Sequence, residues 1–184
     1  MSAELKRFFI FSGFVLLFSV AYSTYVLFAQ PPSPEQETLL SEIGEGIGEL
    51  AMWAFVIIYA RTLIKIFMGK GGISRRLLPN YVAPQSASKL QKLIVQMDRS
   101  HIYVGVAALA LALIHIAFMG LHAEIILFPL VLALVIWQGV FGMFLSWKGS
   151  PRNLKKWSYS VHAQLITGVG IGIFSLFAHM LIGD

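Results

Sequence analysis

Residues 100–121 read SHIYVGVAALALALIHIAFMGL, an apolar stretch that carries two histidines and no Asp, Glu, Lys or Arg. A helix needs about 20 apolar residues to cross a hydrocarbon core that is about 30 Å thick, so this stretch predicts a membrane span. From His101 to His115, a helix advances roughly 21 Å and returns to within about 40° of the same face. We therefore expect both imidazoles to point in one direction at two depths.

The composition of the whole chain agrees with a membrane protein. The 184 residues are 57% hydrophobic and 12% charged, and the mean hydropathy is +0.75. These values are too apolar for a soluble domain. Four further apolar runs predict spans, so we expect one all-α domain over residues 1–184, a bundle of five transmembrane helices at about 8–29, 47–68, 100–121, 125–147 and 159–182. The first two helices are expected to be peripheral.

The first run follows Lys6 and Arg7, as the apolar core of a signal peptide does. It is long for such a core, and Leu27 and Ala29 make a poor cleavage site for a signal peptidase. We therefore expect a transmembrane helix here.

The charges divide between the two sides of this five-span map. All 14 basic residues fall on the side of the N-terminus, near the ends of the spans or in the loops that join them. The positive-inside rule then places the N-terminus in the cytoplasm and the C-terminus in the periplasm, which predicts a multi-pass protein of the bacterial cytoplasmic (inner) membrane. The opposite side is acidic and would steer a charged partner; its carboxylates include Glu35, Glu37, Glu42, Glu45 and Glu124.

A second pair of histidines lies in the last apolar run. His162 and His179 are separated by roughly 25 Å and about 100° on a straight helix, a looser match than the first pair. If the two helices run parallel, each histidine of one meets a histidine of the other. Such pairs supply both axial ligands of a six-coordinate b-type haem. The sequence therefore predicts two haem b groups, with these iron ligands: His101 with His162 near the cytoplasm, and His115 with His179 near the periplasm.

Other residues near these histidines have weaker signals. Arg99 precedes His101 and is the expected cationic partner of a haem propionate. His122 is an alternative to His179 as the ligand opposite His115. A histidine in a span can also simply hydrogen-bond a neighbouring helix, which is the structural alternative for each of them.

The stretch DRSHIYVGVAALALALIH, residues 98–115, resembles the haem-binding helix of ferric-reductase-like transmembrane cytochromes b. This group includes the haem subunits that partner periplasmic methionine sulfoxide reductase and the membrane part of NADPH oxidases. The resemblance implies a bis-His di-haem bundle that moves electrons across the bilayer, with His101 and His115 as the matching pair. His162 and His179 match by role only, because their spacing differs. The resemblance covers about residues 98–182, and six spans are commoner in the group than five.

The function that we expect is transmembrane electron transfer by a membrane subunit of a larger oxidoreductase complex. No nucleotide-binding GxGxxG motif follows a strand pattern, so electrons must come from another protein or from quinol. The chain has no cysteine, which excludes thiolate haem ligation and iron–sulfur clusters on this chain. The expected partners are membrane lipids and other redox subunits or a periplasmic electron-transfer protein; quinone is a further candidate, and nucleic acid is not.

Two alternatives belong to other functional classes. One is a stand-alone quinol-oxidising cytochrome b. The other is a structural subunit without haem, or a pigment-binding subunit whose histidines hold magnesium tetrapyrroles.

Overall fold

Every regular element in the computed structural model is an α-helix, over the described residues 3–29, 38–69, 71–80 and 88–182. In chain order the helices are α1 (Ala3–Ala29), α2 (Leu39–Phe67), α3 (Gly71–Leu77), α4 (Ser88–Met119), α5 (Leu127–Ser146), α6 (Arg152–His162) and α7 (Leu165–Ile182). The helices α1, α2, α4, α5 and α7 are long and apolar enough to cross a membrane. The prediction of an all-α chain with five spans is confirmed to this extent, as expected for a multi-pass membrane protein.

Large apolar side chains cover the outside of the bundle. Tyr103 on α4 is 78% exposed, and Phe28 on α1 is 87% exposed. In the most apolar window of each spanning helix, at most 33% of the residues are buried within the protein. Apolar surface on this scale is stable only where lipid covers it.

The helix α2 begins before the apolar run that predicts it. Thr38 and Ser41 form a reciprocal capping box, in which the Ser41 amide donates to Thr38 Oγ1 at 3.1 Å and the Thr38 amide donates to Ser41 Oγ at 2.9 Å. This cap satisfies two amide groups that have no partner within the helix and sets its first turn.

The fifth predicted span is two helices. The chain leaves the helical conformation at Ala163 and Gln164, directly after His162. The helix α6 carries three basic residues, whereas α7 has no Asp, Glu, Lys or Arg. This contrast favours α6 at the edge of the membrane and α7 inside it.

Several pairs of helices pack against each other, and a contact between α4 and α5 joins them. The helix α2 lies along α4, and α1 and α5 pack against α7, while α5 also packs against α6. The pair α2 and α4 is antiparallel, because Arg61 of α2 contacts Asp98 while Gly44 contacts His115. The helices α1 and α2, for which the sequence predicts a peripheral position, pack along α7 and α4, which carry histidines.

The two ends of the bundle differ in charge. Val26 at the end of α1 packs with Leu127 at the start of α5 and Leu181 at the end of α7. We call this the acidic end, because it contains Glu42, Glu45, Glu49 and Glu124. The described Lys and Arg residues all belong to the opposite end, which we call the basic end. Glu35 and Glu37 lie outside the described residues.

Candidate functional site

The structure brings the four histidines together in the combination expected from the sequence. The ring centroids of His101 and His162 are 6.0 Å apart, with an angle of 63° between the ring planes. The centroids of His115 and His179 are 6.1 Å apart, at 25°. We call His101 and His162 the basic-end pair, and His115 and His179 the acidic-end pair.

These separations suit a metal ion between the two rings of each pair. A bond from a metal to an imidazole nitrogen is about 2.0 Å, and each nitrogen lies about 1 Å from its ring centre, so two imidazoles on opposite sides of one metal have centroids on the order of 6 Å apart. The helices α4 and α7 are not among the closely packed helix pairs of the described residues. The histidines of each pair therefore belong to helices that do not pack tightly against each other.

Three of the four imidazoles have the hydrogen bonds of a metal ligand. His115 Nδ1 lies 2.8 Å from the carbonyl oxygen of Gly44. His162 Nδ1 lies 3.0 Å from the carbonyl oxygen of Gln138, and His179 Nδ1 lies 2.8 Å from the carbonyl oxygen of Ser175. A carbonyl oxygen only accepts, so Nδ1 carries the proton in each ring. In a neutral imidazole, this leaves Nε2 as the nitrogen that can bind a metal.

His101 is the exception. Its Nδ1 atom is buried, and no hydrogen-bond partner for it is present in the described part of the chain. A buried polar atom without a partner is costly in free energy, which makes His101 a candidate for a missing ligand or solvent contact.

The break after His162 explains how both pairs form. On one continuous helix, His162 and His179 would point about 100° apart. Because α6 ends at His162 and α7 begins at Leu165, the direction of His162 does not depend on the helical phase of α7. The two histidines can then meet two partners on the single helix α4.

Glycines let neighbouring helices approach the histidines. A Cβ atom on Gly48 would lie 2.6 Å from His115 Nδ1, and one on Gly142 would lie 3.0 Å from His162 Cε1. Two glycines of α2 thus accommodate His115. Gly48 has no side chain that would displace the ring, and the Gly44 carbonyl oxygen accepts its hydrogen bond.

Sequence analysis missed this role of α2. The pattern in the sequence that indicates this role is Gly-xxx-Gly at Gly44 and Gly48, which is typical of close helix packing in membranes. The glutamates of the same segment are exposed, and Glu49 accepts a long hydrogen bond of 3.5 Å from Trp53 Nε1.

Two small residues between His101 and His115 differ in their surroundings. Ala108 is fully buried, whereas a Cβ atom on Gly105 would meet no atom within 4 Å. Open space at Gly105 leaves room for a flat group beside α4. Between α2 and α7, the Tyr59 ring occupies the position that a side chain on Gly168 would need.

A cluster of charges lies beside the basic-end pair. The Arg61 side chain lines a small cleft together with His101, and its Nε lies 2.6 Å from Asp98 Oδ1. Lys65 Nζ binds the same oxygen at 2.7 Å. Arg99, the residue that the sequence suggests for this role, is exposed on α4. Arg61, on a helix that the sequence did not connect with the site, is thus a cation beside His101, and the role of Arg99 stays a prediction.

Burial lowers the pKa of His162 below its usual range. The charge of Arg61 acts in the same direction, and the hydrogen bond to the Gln138 carbonyl opposes both. His162 is consequently neutral near pH 7, the state in which histidine binds metals.

His122 lies beside the acidic-end pair. Its Nδ1 lies 3.1 Å from a carboxylate oxygen of Glu124, and its ring packs against Phe128, which in turn packs against His179. The structure thus places His179 opposite His115 and His122 at the margin of the acidic-end pair. A backbone hydrogen bond lowers the pKa of Glu124, and the hydrogen bond with His122 acts in the same direction.

The donor set suits a metal that brings its own equatorial ligands. Within the described ranges, no group of three or more His, Cys, Asp or Glu side chains is arranged to hold a bare metal ion. Two histidines are incomplete for zinc, which takes three or four protein ligands. They are complete for a six-coordinate haem, whose porphyrin supplies the other four nitrogens.

Comparisons of this chain with protein-family models, curated proteins and solved structures give no match.

Proposed function

We propose that this protein is a di-haem cytochrome b of the ferric-reductase-like type that transfers electrons across a membrane as a subunit of a larger redox complex. The observation that carries the proposal is the pair of histidine contacts, at 6.0 and 6.1 Å, toward the two ends of one bundle. The hydrogen bonds at three Nδ1 atoms support it, because they leave Nε2 available to iron.

Each bound haem would supply one-electron chemistry at its iron, and the protein would supply position and surroundings. His101 and His162 would hold the haem at the basic end, and His115 and His179 would hold the one at the acidic end. Arg61 and Lys65 lie in the charge cluster beside the basic-end pair and would suit the propionates there, since ammonium and guanidinium groups bind carboxylates strongly.

The charge difference between the ends supports an orientation. Loops rich in Lys and Arg stay in the cytoplasm, so the basic end is cytoplasmic and the acidic end periplasmic in a bacterial inner membrane. In this orientation, the two sites connect the two faces of the membrane.

The test is the haem content of the purified protein. We expect about two b haems per chain in the alkaline pyridine haemochrome assay, with low-spin spectra in both oxidation states. A content of about one would remove one histidine pair from the proposal. A protein that binds no haem in cells supplied with haem, or that binds a magnesium tetrapyrrole, would contradict it.

Quinol is a second candidate electron donor, because electrons must reach the haems from another protein or from quinol. Quinol added to purified protein would reduce the haems without a partner subunit if the protein is a stand-alone quinol oxidase. Reduction that requires a second protein favours the subunit.

The acidic end is the proposed docking surface for a periplasmic electron-transfer protein. Replacing Glu42 and Glu45 by Lys should slow electron exchange with a basic soluble cytochrome c at low ionic strength, because the opposite charges no longer attract. High salt should remove the difference. Stopped-flow spectroscopy measures the rates, and equal rates for both proteins at low salt would place the partner elsewhere.

A further inference from the structure

The surroundings of the two histidine pairs differ in charge and in hydrogen bonding. We infer that the protein holds its two haems at different reduction potentials, with the higher potential at the basic-end pair. This inference rests on the proposed function and goes beyond it, because it assigns an energetic direction to the two sites and names the residues that set it.

The first cause is the charge cluster beside His101. Arg61 and Lys65 share the single carboxylate of Asp98, at 2.6 and 2.7 Å, so these three side chains contribute one net positive charge. The Arg61 side chain is only 19% exposed, which limits screening by solvent. A positive charge close to the iron favours its reduced form, which has one positive charge fewer than the oxidised form.

The acidic-end pair has the opposite surroundings. Glu49 follows Gly48, where an added Cβ atom would lie 2.6 Å from His115 Nδ1, and Glu124 Oε1 lies 3.1 Å from His122 Nδ1. No Lys or Arg of the described helices belongs to this end. Negative charges here favour the oxidised form of the iron.

The second cause is the hydrogen bonding of Nδ1. Both histidines of the acidic-end pair donate to backbone carbonyl oxygens at 2.8 Å. Such bonds make the imidazole more basic, and a more basic ligand stabilises oxidised iron. In the basic-end pair only His162 has this bond, at 3.0 Å, while the buried Nδ1 of His101 has no partner in the described residues.

Charge and hydrogen bonding therefore act in the same direction. An electron that equilibrates between the two sites resides at the basic-end pair. Arg61, Lys65 and Asp98 are positioning residues for this asymmetry, since they act on the potential without binding the iron.

The experiment is a redox titration of the haem-loaded full-length protein, followed by absorption. We expect two midpoint potentials. Arg61→Gln should lower the higher midpoint potential. At the original midpoint, the ratio of reduced to oxidised haem should fall roughly tenfold, and this change corresponds to a shift of about 59 mV for one electron. Asp98→Asn should raise the same midpoint, because it removes a negative charge and leaves both cations.

Matched variants separate charge from structure. Arg61→Lys keeps the charge and should keep the higher midpoint near its original value. Glu49→Gln, at the other end of α2, should raise the lower midpoint and leave the higher one unchanged. His179→Ala should remove the lower midpoint, which assigns it to the acidic-end pair.

The possible results distinguish this inference from the proposed function. A protein with two haems but one shared midpoint, or with the lower midpoint shifted by Arg61→Gln, would overturn the asymmetry and leave the electron-transfer proposal intact. The asymmetry would also be overturned if Arg61→Gln and Asp98→Asn both left the two midpoint potentials unchanged. A protein without haem would contradict both.

Discussion

His115→Ala is expected to lower the low-spin haem content of the purified protein from about two per chain to about one, because a six-coordinate site loses an axial ligand. His179→Ala should give the same result, since the two rings face each other at 6.1 Å. His101→Ala and His162→Ala should each remove the other haem. The haemochrome assay and low-temperature spectra of the oxidised protein measure these losses.

Double variants test the pairing itself. His115→Ala with His179→Ala affects one site twice, so the low-spin content should stay at about one per chain. His115→Ala with His162→Ala affects both sites and should leave almost none. The control is His122→Ala, which should retain both haems, because the ring paired with His115 is that of His179, and His122 bonds Glu124. Loss of haem in the control, or equal content in the two double variants, would refute the pairing.

Gly48→Val is expected to remove the haem of the acidic-end pair although residue 48 binds no metal. A Cβ atom there would lie 2.6 Å from His115 Nδ1, so the ring must move and give up its hydrogen bond to the Gly44 carbonyl. A shift of about 1 Å in a ligand is enough to disrupt a metal site. The low-spin content should fall toward about one per chain, with the basic-end haem retained.

Gly46→Val is the matched control. It makes the same replacement two residues away on α2, and a Cβ atom on Gly46 meets no atom within 4 Å. Both variants have the same intrinsic cost in a helix, so a difference between them reports the contact with His115. If the haem spectra of the two variants are alike, α2 does not support the acidic-end pair in the way that the structure indicates.

The membrane spans could be predicted from the sequence because their signal is local. Apolar runs of sufficient length identify the spanning helices without knowledge of their neighbours. The periodicity of a single helix likewise placed His101 and His115 on one face. The helix α4 extends farther toward the basic end than its apolar run, beginning at Ser88, because helical structure continues past the hydrocarbon core.

The partners of each histidine depend on helices that are distant in the sequence. The acceptor for His115 is a carbonyl of Gly44 on α2, and the acceptor for His162 is a carbonyl of Gln138 on α5. Every residue has such a carbonyl, so no side chain marks these two. The sequence indicated Arg99 because it lies two residues from His101 in the chain. Arg61 lies beside His101 only in the folded structure, so the sequence did not indicate it.

The helical class, the five apolar helices, the charge difference between the ends and the spacing of His101 and His115 on one helix follow from the sequence alone, because hydrophobic length, charge and helical period are local properties. The break between α6 and α7, the packing of α2 against His115 and the position of Arg61 beside His101 are seen only in the folded chain. These features result from how helices pack against one another, and packing depends on side-chain shapes from distant parts of the chain.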